Sequence, residues 1–190
     1  MVNPDKLFGR LGNRLFQMAY IYAQVRRGVI DDIYVQDYKN FDYFGDEIRS
    51  MWNEAGDTIN QVSIHVRRAG NPVNPNEPNY SDNPFYVDLM QTSYYEDAMR
   101  LFPQEDFLVF SDDIEWCKRQ DMFSKCEFSE GNDEITDFNL MAGCKAHIIA
   151  NSSYSWWAAY ISNKKTVAPK QWYYDGNESR TTCPEAWIRI

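Results

Sequence analysis

The chain has 190 residues, 44% of them apolar and 25% charged, which fits one globular domain or two small ones and excludes a disordered chain. Its 28 acidic and 19 basic side chains leave a net charge of −9, which argues against nucleic acid or an anionic membrane surface as partner. No run approaches the roughly 18 apolar residues of a membrane span, and residues 1–6 lack the apolar centre of a signal peptide, so a cytoplasmic location is expected.

The charge is uneven. Residues 1–30 carry five basic side chains against one acid, and a basic spot of that size suits a small anionic ligand. Leu15, Phe16, Ala19, Tyr22 and Ala23 recur at i, i+3, i+4 spacing and predict a helix over residues 13–27, closed by Arg26, Arg27 and Gly28. A short strand at 33–35 and a helix at 42–55 are fainter. From residue 61 the pattern becomes regular. Val62, Ile64 and Val66 alternate with Ser63, His65 and Arg67, which predicts a strand. Residues 69–84, with four prolines and five asparagines, form a loop.

A helix at 86–101 and a strand at 107–110 come next. Ser111 then caps a helix that runs to about residue 122. A strand at 126–128, a helix at 134–145, a strand at 147–150, a helix at 153–162 and a strand at 166–168 complete the series. This alternation predicts an α/β fold, a Rossmann-like parallel sheet of about five strands with right-handed crossovers.

Ligands of such sheets sit at the carboxyl ends of the strands. Three polar clusters fall there: His65-Val66-Arg67-Arg68, Ser111-Asp112-Asp113 and Asn151-Ser152-Ser153. Arginines ending an apolar strand can grip phosphate bidentately, or form a surface salt bridge. Ordinary helix capping accounts for Ser111 and the acids after it, with a metal role for Asp112 and Asp113 the alternative, although metal-dependent glycosyltransferases favour Asp-x-Asp spacing. Hydroxyls and N–H groups at the start of the 153–162 helix can cradle a diphosphate. Trp156 and Trp157 are adjacent on that helix, so one is expected in the core and the other near a ligand. Gly9-Arg10-Leu11-Gly12-Asn13-Arg14 combines two glycines, two arginines and a helix start, which makes an anion or sugar-hydroxyl site or a simple cap.

His147 opens an apolar strand and reads as structural. Cys117, Cys126, Cys144 and Cys183 contain no Cys-x-x-Cys, and with two histidines in the chain they predict reduced thiols and no zinc site.

In order along the chain, these clusters resemble the α-1,2-fucosyltransferases of glycosyltransferase family 11. The family's opening motif is similar to Gly9-Arg10-Leu11-Gly12-Asn13-Arg14-Leu15-Phe16-Gln17, and its His-x-Arg-Arg to residues 65–68. Tyr94-Tyr95 with Ala98, the run from Phe110 to Cys117, the run from Ile148 to Trp157, residues 168–172 and residues 184–187 match further segments.

The resemblance implies a reduced GT-B-type fucosyltransferase architecture. Residues 1–60 would form a shortened acceptor-side segment and residues 61–190 a Rossmann-like donor-binding domain. It implies transfer of fucose from GDP-fucose to a glycan hydroxyl, that of a galactoside in α-1,2 linkage, with inversion and no metal or other cofactor. Arg67, Arg10 and Asn13 would be catalytic; His65, Arg68, Asp112, Asn151, Ser152 and Ser153 would bind the donor. A second copy of the chain could cover surface left by the shortened lobe, giving a homodimer.

Three departures qualify the match. Only residues 18–64 separate the first motif from His-x-Arg-Arg. Gly9-Arg10 looks instead like the Gly-Arg-Phe-Gly-Asn loop of protein O-fucosyltransferases. Arg67-Arg68-Ala69-Gly70 lacks the acid of the family's Arg-Arg-Gly-Asp. A glycosyltransferase using another nucleotide sugar, or an inactive nucleotide-sugar-binding module, are the alternatives.

Overall fold

The computed structural model describes residues 11–27, 38–52, 58–68, 85–174 and 183–190. Among them, one sheet holds six strands: β1 (Ile59–Val66), β2 (Phe107–Ser111), β3 (Glu127–Phe128), β4 (Cys144–Ile148), β5 (Lys165–Ala168) and β6 (Ile188–Arg189). Their order is β3-β2-β1-β4-β5-β6, and every pairing is parallel. The chain winds outward from β1 to β2 and β3, then crosses back to β4 and winds the other way. This is a Rossmann-like sheet whose direction of winding reverses between β1 and β4.

The described helices are α1 (Leu11–Arg27), α2 (Gly45–Trp52), α3 (Tyr94–Arg100), α4 (Ile114–Cys117), α5 (Glu134–Gly143) and α6 (Ser153–Ser162). Val62, Ile64 and Val66 of β1 point to one side, where they join Val109, Ile148, Val167, Tyr94, Tyr95 and Cys117. On the other side α1, α5 and α6 pack together with Phe110, Ile149 and Ala168. Aromatic rings crowd that second layer. The ring of Phe16 lies 4.7 Å from Trp156 and 5.0 Å from Trp157, and Phe41 stacks on Trp157 at 5.3 Å. Such pairs add about 0.5–1.5 kcal/mol each beyond burial.

Trp156 and Trp157 are both fully buried, which corrects the expectation that one would lie near a ligand. The indoles diverge at 74°, and α1 and the segment around Phe41 cover them both.

Other boundaries moved for local reasons. The helix expected over 86–101 begins only at Tyr94. Before it, Tyr86 bridges Tyr173 antiparallel, the Val87 N–H donates to the Trp172 carbonyl at 3.1 Å, and Asp88 caps a single 310 turn at Leu89–Gln91. The helix expected from Ser111 to about residue 122 is capped by Asp113 instead and stops at Cys117. Ser111 closes β2, its hydroxyl accepting from the Asp113 N–H at 3.0 Å. The helix expected over 42–55 is a 310 turn at Asp42–Phe44 running into α2. The strand expected at 33–35 lies outside the described residues. No disulfide joins the four cysteines.

Candidate functional site

The polar clusters converge where the winding reverses. Val66 pairs with Ser111 across β1 and β2, so the residues that follow each strand emerge side by side. Arg67 and Asp112 form an ion pair there, with side chains 12% and 18% exposed. The other Asp112 oxygen accepts the backbone N–H of Arg68 at 2.8 Å. One carboxylate thus holds the side chain of one arginine and the main chain of the next.

Arg68 goes to different partners. Its guanidinium carbon lies 3.8 Å from the centre of the Trp116 ring, and Nη1 lies 3.6 Å from a carboxylate oxygen of Asp88. Its Nε is buried and has no hydrogen-bond partner.

The second cluster forms at the amino end of α6. Ser152 is its N-cap, accepting from the Tyr154 N–H at 3.4 Å. The Ser153 hydroxyl donates to Asn13 Oδ1 at 2.9 Å. Asn13 is in the first turn of α1, so the amino ends of two helices meet here, each carrying partial positive charge. Gly12 makes the approach feasible, because its missing side chain leaves room for the backbone of Ser153 and Tyr154.

His65 links the clusters. Its Nδ1 lies 2.9 Å from the Ser155 hydroxyl in the first turn of α6, and its carbonyl accepts from the Tyr95 hydroxyl at 2.9 Å. Burial pushes the Tyr95 phenol well above its ordinary pKa, which keeps that donor protonated. Arg67 follows His65 by two residues, the spacing that returns a strand to the same side.

Asn151 is buried, and its amide donates to the carbonyls of Val87 at 2.9 Å and Trp172 at 3.0 Å. It ties the β4 end to the short ribbon on which Asp88 sits. Arg10 lies outside the described residues.

His147 is structural, as expected. Its Nδ1 is 2.8 Å from the Ser63 hydroxyl and its Nε2 2.6 Å from that of Ser162. Burial pushes its pKa down to about 3, so the ring is neutral at pH 7.

Trp116, Asp88, Tyr95 and Ser155 join the site without having been singled out for it. Trp116 stands beside the acidic pair in sequence, three residues past Asp113. Asp88 carries no periodic signal, since the Pro- and Asn-rich stretch separates it from Arg68. Among the described residues no group of three or more His, Cys, Asp or Glu side chains comes together, and no helix is long and apolar enough to cross a membrane.

Comparison with known proteins gives these features a setting. The chain matches the profile of Glycosyl transferase family 11 over residues 44–190. It is similar to an alpha-1,2-colitosyltransferase of Escherichia coli, 39% identical over 144 residues that cover 69% of this chain and 48% of that protein. It is also similar to the O-antigen biosynthesis glycosyltransferase WbnK of Escherichia coli, 31% identical over 150 residues, 70% of this chain and 46% of that protein. The chain spans about half the length of these curated relatives. No solved structure matches it.

Proposed function

Because the chain belongs to glycosyl transferase family 11, we propose that it moves a deoxyhexose, fucose in the first instance, from a GDP-linked donor to a glycan hydroxyl. The observation that carries this reading is the Arg67–Asp112 pair at the carboxyl ends of β1 and β2, next to the winding reversal, with the amino ends of α1 and α6 meeting beyond the end of β4. A diphosphate needs fixed positive charge and N–H donors, and both converge on this edge.

In the reaction, the acceptor oxygen bonds to the anomeric carbon as the bond from that carbon to the diphosphate oxygen breaks. The hydroxyl proton is released, negative charge collects on the departing GDP, and the anomeric centre inverts. Arg67 stabilises that charge, with Arg10 completing the cation set. Asn13, Ser152 and Ser153 line the phosphate pocket. His65 and Asn151 hold its floor, through Ser155 and through the Val87–Trp172 ribbon. Guanidinium and helix ends supply the charge, so this reading needs no metal. A GT-B arrangement, with a second lobe closing over the carboxyl edge of the sheet, and a cytoplasmic location belong to the same reading.

A colitosyl donor is the second reading, favoured by the relative named for that activity. Both are tested by incubating the protein, in excess EDTA, with GDP-fucose or GDP-linked colitose and a galactoside. Mass spectrometry should show one added deoxyhexose or dideoxyhexose. Product from UDP-sugars alone, or only after manganese is restored, would overturn the reading.

A further inference from the structure

We propose that Arg68 is a positioning residue, seated by Trp116 and Asp88, and that this seat aims the neighbouring Arg67 at the donor; the proposal rests on the donor-binding reading above. Adjacent arginines at a strand end invite the view that both grip phosphate. The geometry separates them.

Arg67 ends on Asp112, at the carboxyl ends of β1 and β2. Arg68 is committed elsewhere. Its Cζ lies over the ring of Trp116, 3.8 Å from the ring centre. A flat cation on an indole is among the stronger cation–π arrangements, and burial strengthens it. The Asp88 carboxylate stands 3.6 Å from Nη1. The Nε is shielded from solvent. Asp88 answers the charge of Arg68 as Asp112 answers that of Arg67, and what sets Arg68 apart is the indole of Trp116 beside it.

The seat is itself anchored. The backbone N–H of Trp116 donates to Asp113 Oδ1 at 3.1 Å, and the second oxygen of Asp88 accepts from the backbone N–H of Met90 at 3.0 Å. Arg68 is thereby braced between the start of α4 and the 310 turn before α3.

The link to chemistry runs through the main chain. The Arg68 N–H is bonded by the same Asp112 carboxylate that holds the Arg67 guanidinium. A shift of Arg68 therefore carries that peptide, and with it the angle at which Asp112 presents Arg67. Misaiming a fixed cation by a fraction of an ångström weakens the transition state more than the ground state.

The test is a double-mutant cycle on the whole chain, reading GDP affinity by calorimetry and GDP release from GDP-fucose by kinetics. Arg68→Lys and Trp116→Leu should each keep the GDP Kd within about threefold yet lower kcat by about ten- to a hundredfold, with KM nearly unchanged. Combining them should cost no more than the worse single change, since both break one contact. Trp116→Phe should recover most of the rate, because it restores an aromatic face. If Trp116→Leu fails to fold, Trp116→Met with Arg68→Lys reads the same coupling.

The seat is overturned if Arg68→Lys weakens GDP by more than about thirtyfold while Trp116→Leu binds normally, which would make Arg68 a donor contact. It is also overturned if the two losses multiply. Failure of the wild type to bind GDP would overturn the donor reading itself, and the seat's role falls with it.

Discussion

Gly12 and Ser153 are in such close contact that a β-carbon added to Gly12 would stand 2.4 Å from the Ser153 carbonyl carbon and 2.5 Å from the Tyr154 nitrogen. Those atoms are backbone and cannot swing aside. Gly12→Ala should therefore cost about 1–3 kcal/mol by forcing α1 away from α6. Ser153→Ala removes only the hydrogen bond to Asn13, so its cost should stay near ~1 kcal/mol. Urea unfolding of both variants checks the order. A Gly12→Ala protein as stable as wild type would show that the two helix ends are further apart than described.

The second prediction concerns Arg67. Arg67→Ala should reduce turnover by about a thousandfold or more, while Asp112 keeps its bond to the Arg68 N–H and limits the stability loss to about 1–3 kcal/mol. Arg67→Lys should rescue poorly, because an ammonium lacks the planar fork. Asp112→Asn retains an acceptor for Arg68 but loses the charge opposite Arg67, so it should fold and turn over slowly. Steady-state kinetics with circular dichroism decides the case, and near-normal rates for Arg67→Ala would remove it from the chemistry.

The third prediction is a pH dependence. His147 titrates at about 3 when folded against 6.5 when unfolded, so its folded pKa is depressed. The stability of its neutral form is complete above the unfolded pKa and is lost as pH falls from about 6.5 toward 3, at about 1.4 kcal/mol per unit. His147→Gln can bridge the same two serines but does not titrate. The stability advantage of wild type over His147→Gln should shrink steadily from pH 7 to pH 4. A constant difference would mean that the ring is not held neutral.

The fourth prediction concerns Asn151, whose amide satisfies two buried carbonyls. Asn151→Asp cannot donate to them and places a carboxylate against both, so it should be far less stable than Asn151→Ala, which should itself lose about 2–3 kcal/mol. Thermal unfolding at neutral pH checks this. Equal stability of the two variants would mean that the ribbon carrying Asp88 is held by something else.

The regular half of the chain was legible because β1 alternates β-branched residues at period 2 and the later strands are short apolar runs between helical stretches. Val62, Ile64 and Val66 announced β1 and the face that it buries. The opposite face was harder to read. Ser63 and His65 are buried, not solvent-facing, because hydroxyl and imidazole partners on β4 and α6 satisfy them. Those partners lie more than 80 residues away, and no local pattern carries that information.

Tyr86 and Val87 looked like the start of a helix. They belong to a ribbon whose other strand is Tyr173, again distant in sequence. The two-residue strand β6 is too short to show any period. In the site, Arg67, Asp112 and Ser153 were found from strand ends and helix starts. Trp116 and Asp88 were missed because their importance depends on where one side chain, Arg68, comes to lie.

We propose that this edge of the sheet binds a guanosine diphosphate. Thermal unfolding in the presence of GDP, GDP-fucose, GDP-mannose, UDP and UDP-sugars tests it most directly. A ligand at a hundred times its Kd stabilises by about 2.7 kcal/mol, or roughly 5–10 °C for a chain of this size. The unfolding temperature should rise by that much with GDP and GDP-fucose, change little with the uridine compounds, and not rise in Arg67→Ala. No shift with GDP at millimolar concentration, or an equal shift with UDP, would contradict it.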